Sequence, residues 1–318
     1  MAVQQDGERL CGGQVDTTTQ NRKEPAHRLR LLDDVAPPAP PPPVPPGWRT
    51  GPPDFVGVGT MKSGTTWWWS VLTTHPAIAS PRAAQAAADH SGADSRALHG
   101  AKEVHFFDHY GRVEEVDPAE YHRYFPRPPG SIAGEWTPRY MYDFWTPPML
   151  RAVAPEARLL VLLRDPLERL ASALGFHRAL EAGHSLAAVM EHQFHRALYW
   201  QQLRMLMNSF DRDRILVLQY ERCVAEPERQ ARRTFEFIGV DPDMWHPVRP
   251  FDQQVGRSSP KPVVNEATRA VFCQAIAPDI SRLLSEFPEI DPTLWPSVDP
   301  SSPASGTEAH DDLAALDG

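Results

Sequence analysis

The stretch FVGVGTMKSGTTWWW (Phe55–Trp69) decides how the chain is read. Its first five residues form a short apolar run stopped by glycine, the pattern of a strand buried on both faces of a parallel sheet. A small, hydroxyl-rich turn follows and opens a helix predicted over Trp67 to Thr74. Small residues at such a turn let backbone N–H groups converge on an anion, and the helix N-terminus adds the positive end of its dipole. Lys62 adds a point charge. The turn is therefore predicted to cradle a phosphate through Lys62, Ser63, Gly64, Thr65 and Thr66. An ordinary strand-to-helix turn explains the shape but not the lysine, which is costly there without an anion.

Two more apolar runs repeat the pattern. RLLVLLR (Arg158–Arg164) is read as a strand with a helix over Leu167 to Ala182, and RILVLQYE (Arg214–Glu221) as a strand with a helix through Phe237. Alternating strands and helices predict an α/β fold: a single P-loop-like three-layer domain with a central parallel sheet and helices on both faces. Ligands of such sheets bind at the carboxyl ends of the strands. The Phe55–Trp69 turn is not a Walker A loop. That motif runs Gly, Lys, Ser/Thr, and here the glycine position just before Lys62 holds Met61. A P-loop small-molecule kinase using ATP and Mg²⁺ would want that glycine and metal-dependent turnover.

A second half-site is read after the Arg158 strand, in Arg164-Asp165-Pro166-Leu167-Glu168-Arg169-Leu170-Ala171-Ser172. An arginine at a strand end and a hydroxyl two turns along the next helix can grip another phosphate. Pro166 suits a first helical turn. Taken alone, such an Arg and Ser more often form a surface ion pair and a solvated hydroxyl.

With both fragments in place, the chain resembles the sulfotransferases that use 3′-phosphoadenosine 5′-phosphosulfate (PAPS), over most of residues 54–296. The resemblance implies that Lys62 through Thr66 hold the 5′-phosphosulfate and that Arg164 and Ser172 hold the 3′-phosphate. Lys102-Glu103-Val104-His105-Phe106-Phe107-Asp108 looks like the K-E-x-x-F-F segment of the branch with the heparan sulfate and bacterial carbohydrate enzymes. That likeness implies Glu103 as catalytic base. Gly134-Glu135-Trp136-Thr137-Pro138-Arg139-Tyr140 resembles the family's G-E-K-[ST]-P-x-Y, with Trp136 in place of the lysine. The replacement points away from a heparan-like anionic acceptor. Gly256-Arg257 sits where the family closes a basic loop over the nucleotide.

The implied reaction (EC class 2.8.2) moves a sulfuryl group from PAPS to a hydroxyl, or an amine, of a carbohydrate, glycolipid or secondary metabolite. No metal is required. In-line alignment and stabilisation of the leaving phosphate carry it. Lys62 is expected at the bridging or leaving oxygen and Glu103 at the acceptor proton. His105, two residues on, faces the same side in a strand; it is the rival base, or it orients Glu103 or the acceptor. Trp67 is the tryptophan expected to border the site, since three consecutive helical residues cannot share one face.

The remaining sequence sets bounds. The 318 residues carry a net charge of −9, which argues against a nucleic-acid binder with a broad basic surface. The three cysteines Cys11, Cys223 and Cys273 make no disulfide framework and fit a reducing compartment. No apolar signal core or membrane-length run is present, so the expectation is a cytoplasmic protein. Of 32 basic residues only Lys23, Lys62, Lys102 and Lys261 are lysine, a survival that fits either positions that need a compact ammonium or chance. Residues 1–50 read as a disordered arm with the polyproline segment APPAPPPPVPPG, a spacer or partner ligand. Residues 51–296 read as the domain, and 297–318 as a disordered tail. PRAAQAAADHSGADSRALHG (Pro81–Gly100) reads as an insertion, either a lid over the acceptor or a loop without a role. A catalytically inactive nucleotide-binding scaffold is the remaining alternative.

Overall fold

The computed structural model describes residues 38, 40–79, 102–109, 116–176, 186–247 and 263–298. The 81–100 insertion, Gly256, Arg257, most of the arm and most of the tail lie outside them.

Strand β1 spans Phe55–Gly59 with every residue buried. It is the middle of a five-stranded sheet with β2 (Ile78–Ala79), β3 (Ile132–Trp136), β4 (Arg158–Leu163) and β5 (Ile215–Gln219), in the order β2-β3-β1-β4-β5. Every neighbouring pair is parallel. Alternate residues feed two separate cores. Val56, Val58, Leu159, Val161, Leu163, Ile215 and Val217 face one core. Phe55, Trp136, Leu160, Leu162, Leu216 and Leu218 face the other. This period-two division is what a sheet covered on both faces requires, and it gives the predicted α/β three-layer architecture.

The second core is covered by α1 (Thr65–Leu72), α7 (Tyr220–Ala225) and α8 (Pro227–Ile238), through Trp67, Trp68, Trp69, Cys223 and Phe235. The first is covered by α2 (Pro118–His122), α3 (Thr146–Val153), α4 (Pro166–Phe176), α5 (Leu186–His195), α6 (Tyr199–Met207) and α9 (Glu266–Glu286). The helix expected to run unbroken after β5 is two helices, because Pro227 has no N–H to continue the first. Two strands were not foreseen. In β3, Gly134 and Glu135 interrupt the apolar run, and β2 has only two residues.

The domain edges extend slightly beyond the expected 51–296. Arg49 bridges Arg127 in antiparallel fashion and Trp48 packs on the first core. At the other end Ser297 N donates to Asp165 Oδ2 at 3.0 Å. Among the described residues no helix is long and apolar enough to cross a membrane.

Candidate active site

The turn after β1 has the shape the sequence calls for. Gly64 adopts φ 86 and Lys62 φ 67, both left-handed. At Gly64 a Cβ would come within 2.5 Å of the Tyr220 ring, so glycine is required by both conformation and space. No side chain caps the N-terminus of α1, which leaves its first N–H groups to an anion. Ser63 is fully buried and its hydroxyl is turned inward onto Thr60, whose own Oγ1 donates to the Leu162 carbonyl at 3.0 Å. Ser63 thus has its backbone N–H rather than its hydroxyl to offer a ligand.

Thr65 and Thr66 are engaged by a residue the sequence reading did not place in the site. Lys102 is almost wholly buried, and its Nζ donates to Thr65 Oγ1 at 3.0 Å, Thr66 Oγ1 at 3.2 Å and Glu103 Oε1 at 2.7 Å. Hydroxyls that accept from an ammonium keep their own protons to donate to an anion. One ammonium therefore links the loop after β1 to the Glu103 carboxylate.

Lys102 to His105 is not a strand. His105 takes a left-handed φ of 55 and leads into a 3₁₀ turn over Phe106–His109. That fold-back, rather than strand alternation, brings His105 Nε2 to 3.1 Å from Glu103 Oε2. Its Nδ1 lies 2.8 Å from Asp108 Oδ2. Asp108 is buried, and Arg139 Nε stands 4.0 Å from the same oxygen. A row of alternating charge results: Asp108, His105, Glu103, Lys102.

The electrostatics follow from that row. Burial opposes a charged His105, but hydrogen bonds to Asp108 and Glu103 and their charges outweigh it and raise its pKa to about 10. Burial pushes Glu103 up; the His105 hydrogen bond and the Lys102 ammonium win and hold it below its usual value. Burial lowers Lys102, with Glu103 opposing. Burial is also the main cause that lowers Lys62 to about 8; Glu103 opposes, and the Arg164 and Lys102 charges add to the fall. A lysine so depressed is one whose charge an incoming anion would restore.

Arg164 follows β4 and reaches the loop. Its Nη1 donates to the Lys62 carbonyl at 3.3 Å, its Nη2 pairs with Glu168 at 3.1 Å, and its guanidinium lies 4.9 Å from the centre of the Tyr220 ring. Its buried Nε has no partner among the described residues. Asp165 caps α4, with Oδ1 accepting from Leu167 N at 2.9 Å and Glu168 N at 3.0 Å. Ser172 is buried within that helix. Tyr220 thus lies against both half-sites, Gly64 on one and Arg164 on the other.

All three tryptophans of α1 are buried. Trp67 packs edge-on against Tyr220, with ring centres 6.0 Å apart, so it supports the site from below rather than bordering it. Trp136 is also fully buried. Its Nε1 donates to the Gly59 carbonyl at 3.2 Å, and its ring fills the space where a Gly57 Cβ would stand 2.1 Å away. Here it is a core residue that packs against β1. The sequence reading missed Lys102, Asp108 and Tyr220 as site residues. The scarcity of lysine was a signal for Lys102, and the three-residue spacing from His105 was one for Asp108.

The sulfotransferase family model matches residues 53–246. The human heparan sulfate glucosamine 3-O-sulfotransferase 6 is 30% identical over 208 residues, 61% of this chain and 54% of that protein. The mouse protein of the same name is 29% identical over 231 residues, 68% of this chain and 60% of its own length. The chain thus spans little more than half the length of these relatives. Among solved structures, a sulfotransferase from Alicyclobacillus acidocaldarius superposes with a TM-score of 0.57 at 21% identity, covering 76% of this chain and 98% of that one. That likeness speaks for the fold. The family match runs from β1 through the loop, the Lys102–Asp108 segment and both half-sites, and by it this chain belongs to the sulfotransferase family.

Proposed function

We propose that the protein transfers a sulfuryl group from PAPS to a hydroxyl of a carbohydrate, with Glu103 as general base. The observation that carries the reading is the Lys102 ammonium, shared between the loop hydroxyls of Thr65 and Thr66 and the Glu103 carboxylate. It supports a site in which an anion held by the loop and a base lie side by side. PAPS, when bound, supplies an activated sulfuryl group and a phosphate leaving group. The residues fit such a ligand. The uncapped start of α1, the left-handed Gly64 and the depressed Lys62 suit the 5′ end, and Arg164 and Ser172 suit the 3′-phosphate.

The chain's own residues then have separate tasks. Loop N–H groups and the Thr65 and Thr66 hydroxyls orient the anion. Lys62 and Lys102 offset charge that develops on the leaving side. Each Glu103 oxygen is engaged once, by Lys102 or His105, and retains a lone pair for an acceptor O–H. Accepting that proton is worth roughly 10²–10⁴ in rate. His105, held protonated by Asp108, orients Glu103 rather than competing with it as base. The names of the relatives, glucosamine 3-O-sulfotransferases, support a sugar hydroxyl as acceptor.

The test is transfer from radiolabelled PAPS to a panel of glycans, phenols and alcohols, beside Lys62→Ala and Glu103→Ala. Transfer to a glycan that both variants lose is the expected result. Failure to bind 3′-phosphoadenosine 5′-phosphate, or full activity in Lys62→Ala, overturns it. Turnover with ATP and Mg²⁺ instead would favour the kinase reading.

A further inference from the structure

Glu135 anchors a polar cluster for which the proposed chemistry has no direct use. Its carboxylate is fully buried on β3, and no lysine or arginine among the described residues lies within ion-pair distance. Oε2 accepts from the Val104 amide at 2.9 Å and from the Thr137 hydroxyl at 2.6 Å. Oε1 accepts from Tyr121 Oη at 2.7 Å and Tyr140 Oη at 3.2 Å. Two of these hydroxyls pass the hold onward. Thr137 Oγ1 accepts the His105 amide at 3.2 Å, and Tyr140 Oη accepts the Phe106 amide at 2.8 Å. The three consecutive amides of Val104, His105 and Phe106 are thus tied to one carboxylate, the first directly and the others through one hydroxyl each.

Burying a carboxylate with no cation is costly, and an apolar side chain would pack the same volume at less cost. Burial pushes the Glu135 carboxyl up while the Thr137, Tyr121 and Val104 hydrogen bonds oppose it. What the cluster secures is geometry. His105 sits in a left-handed conformation that a histidine rarely adopts unaided, and only there do its two ring nitrogens meet Glu103 and Asp108. A fully satisfied buried network makes a rigid frame for such a position.

We infer that Glu135 is the positioning residue of the active site, fixing residues 104–106 so that His105 spans Glu103 and Asp108. The inference rests on the reading of Glu103 and His105 as the proton-handling pair. Glu135→Gln keeps the shape but sets an NH₂ against donors. Two readouts separate positioning from general support. The first is the titration of the His105 ring followed by NMR, which needs neither acceptor nor PAPS. The second is kcat beside the dissociation constant for 3′-phosphoadenosine 5′-phosphate. In Glu135→Gln, His105 is expected to lose about tenfold or more in proton affinity. The kcat is expected to fall about tenfold or more, and nucleotide affinity to change by less than roughly threefold. A folded Glu135→Gln with wild-type His105 titration and wild-type kcat overturns the inference, as does an equal loss of kcat and nucleotide affinity. If Glu135→Gln does not fold, Thr137→Val cuts the His105 link together with the Thr137–Glu135 hydrogen bond, leaves the Val104 and Tyr140 links in place, and is expected to shift His105 in the same direction; no shift there also overturns it. A wild-type protein inactive on every acceptor, with His105 still shifted in the variant, sinks the proposed reaction and leaves the positioning role standing.

Discussion

Lys102 Nζ lies 2.7 Å from Glu103 Oε1 while donating to the hydroxyls of Thr65 and Thr66. The two halves of the site are therefore joined through a single buried charge. Lys102→Met removes one of the two cations that hold Glu103 ionised. Activity is expected to fall about tenfold or more, near 1.4 kcal/mol of transition-state stabilisation. The acid limb of the pH–rate profile is expected to move to higher pH as the Glu103 carboxyl rises. An unmoved limb with kcat within about twofold of wild type would show that Lys102 is a loop support only.

Gly64 tolerates no side chain. A Cβ there meets the Tyr220 ring at 2.5 Å, and the backbone is at φ 86. The left-handed conformation alone costs an L-residue roughly 1–2 kcal/mol. Gly64→Ala is expected to weaken binding of 3′-phosphoadenosine 5′-phosphate by about 100-fold, close to 2.7 kcal/mol. Adding Tyr220→Leu removes the clash but not the backbone cost, so calorimetry on the double variant should recover part of the loss. Wild-type affinity in Gly64→Ala would rule out the loop as the nucleotide cradle.

Lys62 gives binding a proton signature. With its pKa lowered to about 8, chiefly by burial, Lys62 is largely neutral above that pH in the unliganded protein. An anion seated on it restores the charge, so binding above pH 8 takes up a proton and weakens as pH rises. Binding enthalpy measured near that pH in buffers of different ionisation heat should vary with the buffer. Lys62→Arg, charged throughout, should abolish the variation. Buffer-independent heats in the wild type would mean that Lys62 does not meet the ligand.

His105 and Lys62 affect stability with opposite sign. The folded pKa of His105 is raised to about 10, so its contribution is fully present below its ordinary value of 6.5 and is lost as pH climbs towards 10. For Lys62 the folded state binds the proton more weakly, so stability rises between about 8 and 10.5. A difference measurement separates them. Asp108→Asn removes a partner of His105, which makes the variant least stable relative to wild type at pH 6 and nearly equal at pH 10. Thermal unfolding across that range reads the gap, and a constant gap would deny the raised His105.

Trp136 and Gly57 form one packing unit, the indole occupying the place of the missing Cβ. Trp136→Lys, which restores the residue common in the wider family, is expected to destabilise rather than to re-tune the acceptor site. Losing a buried tryptophan costs about 3–5 kcal/mol, and an unpaired buried cation adds to it. Melting is expected to drop by roughly 10–20 °C. A variant that melts within a few degrees of wild type would place Trp136 outside the core packing.

Much of this was readable from particular residues. The uninterrupted runs Phe55–Gly59 and Arg158–Leu163 appear as strands at or within one residue of their expected ends, because a strand buried on both faces must be apolar throughout. β3 was not readable, because its polar Glu135 is satisfied only by Tyr121, Tyr140, Thr137 and the Val104 amide, partners distributed over 104–140. Glu103 and His105 were named from a motif, and their expected meeting in a strand was right in outcome and wrong in cause: a left-handed turn joins them. Gly256 and Arg257 lie outside the described residues.

The sequence by itself determined the buried strands β1, β4 and β5, the glycine turn after β1 and the family, since these depend on local periodicity and on motifs of fixed spacing. Tertiary structure alone decided which side chains share an environment. It turned Ser63 and Trp136 inward, gave Lys102 to both the loop and Glu103, raised the pKa of His105 and lowered that of Lys62. The physical reason is that burial and through-space charge depend on distance in three dimensions. Lys102 and Thr65 are 37 residues apart in the chain and 3.0 Å apart in the fold.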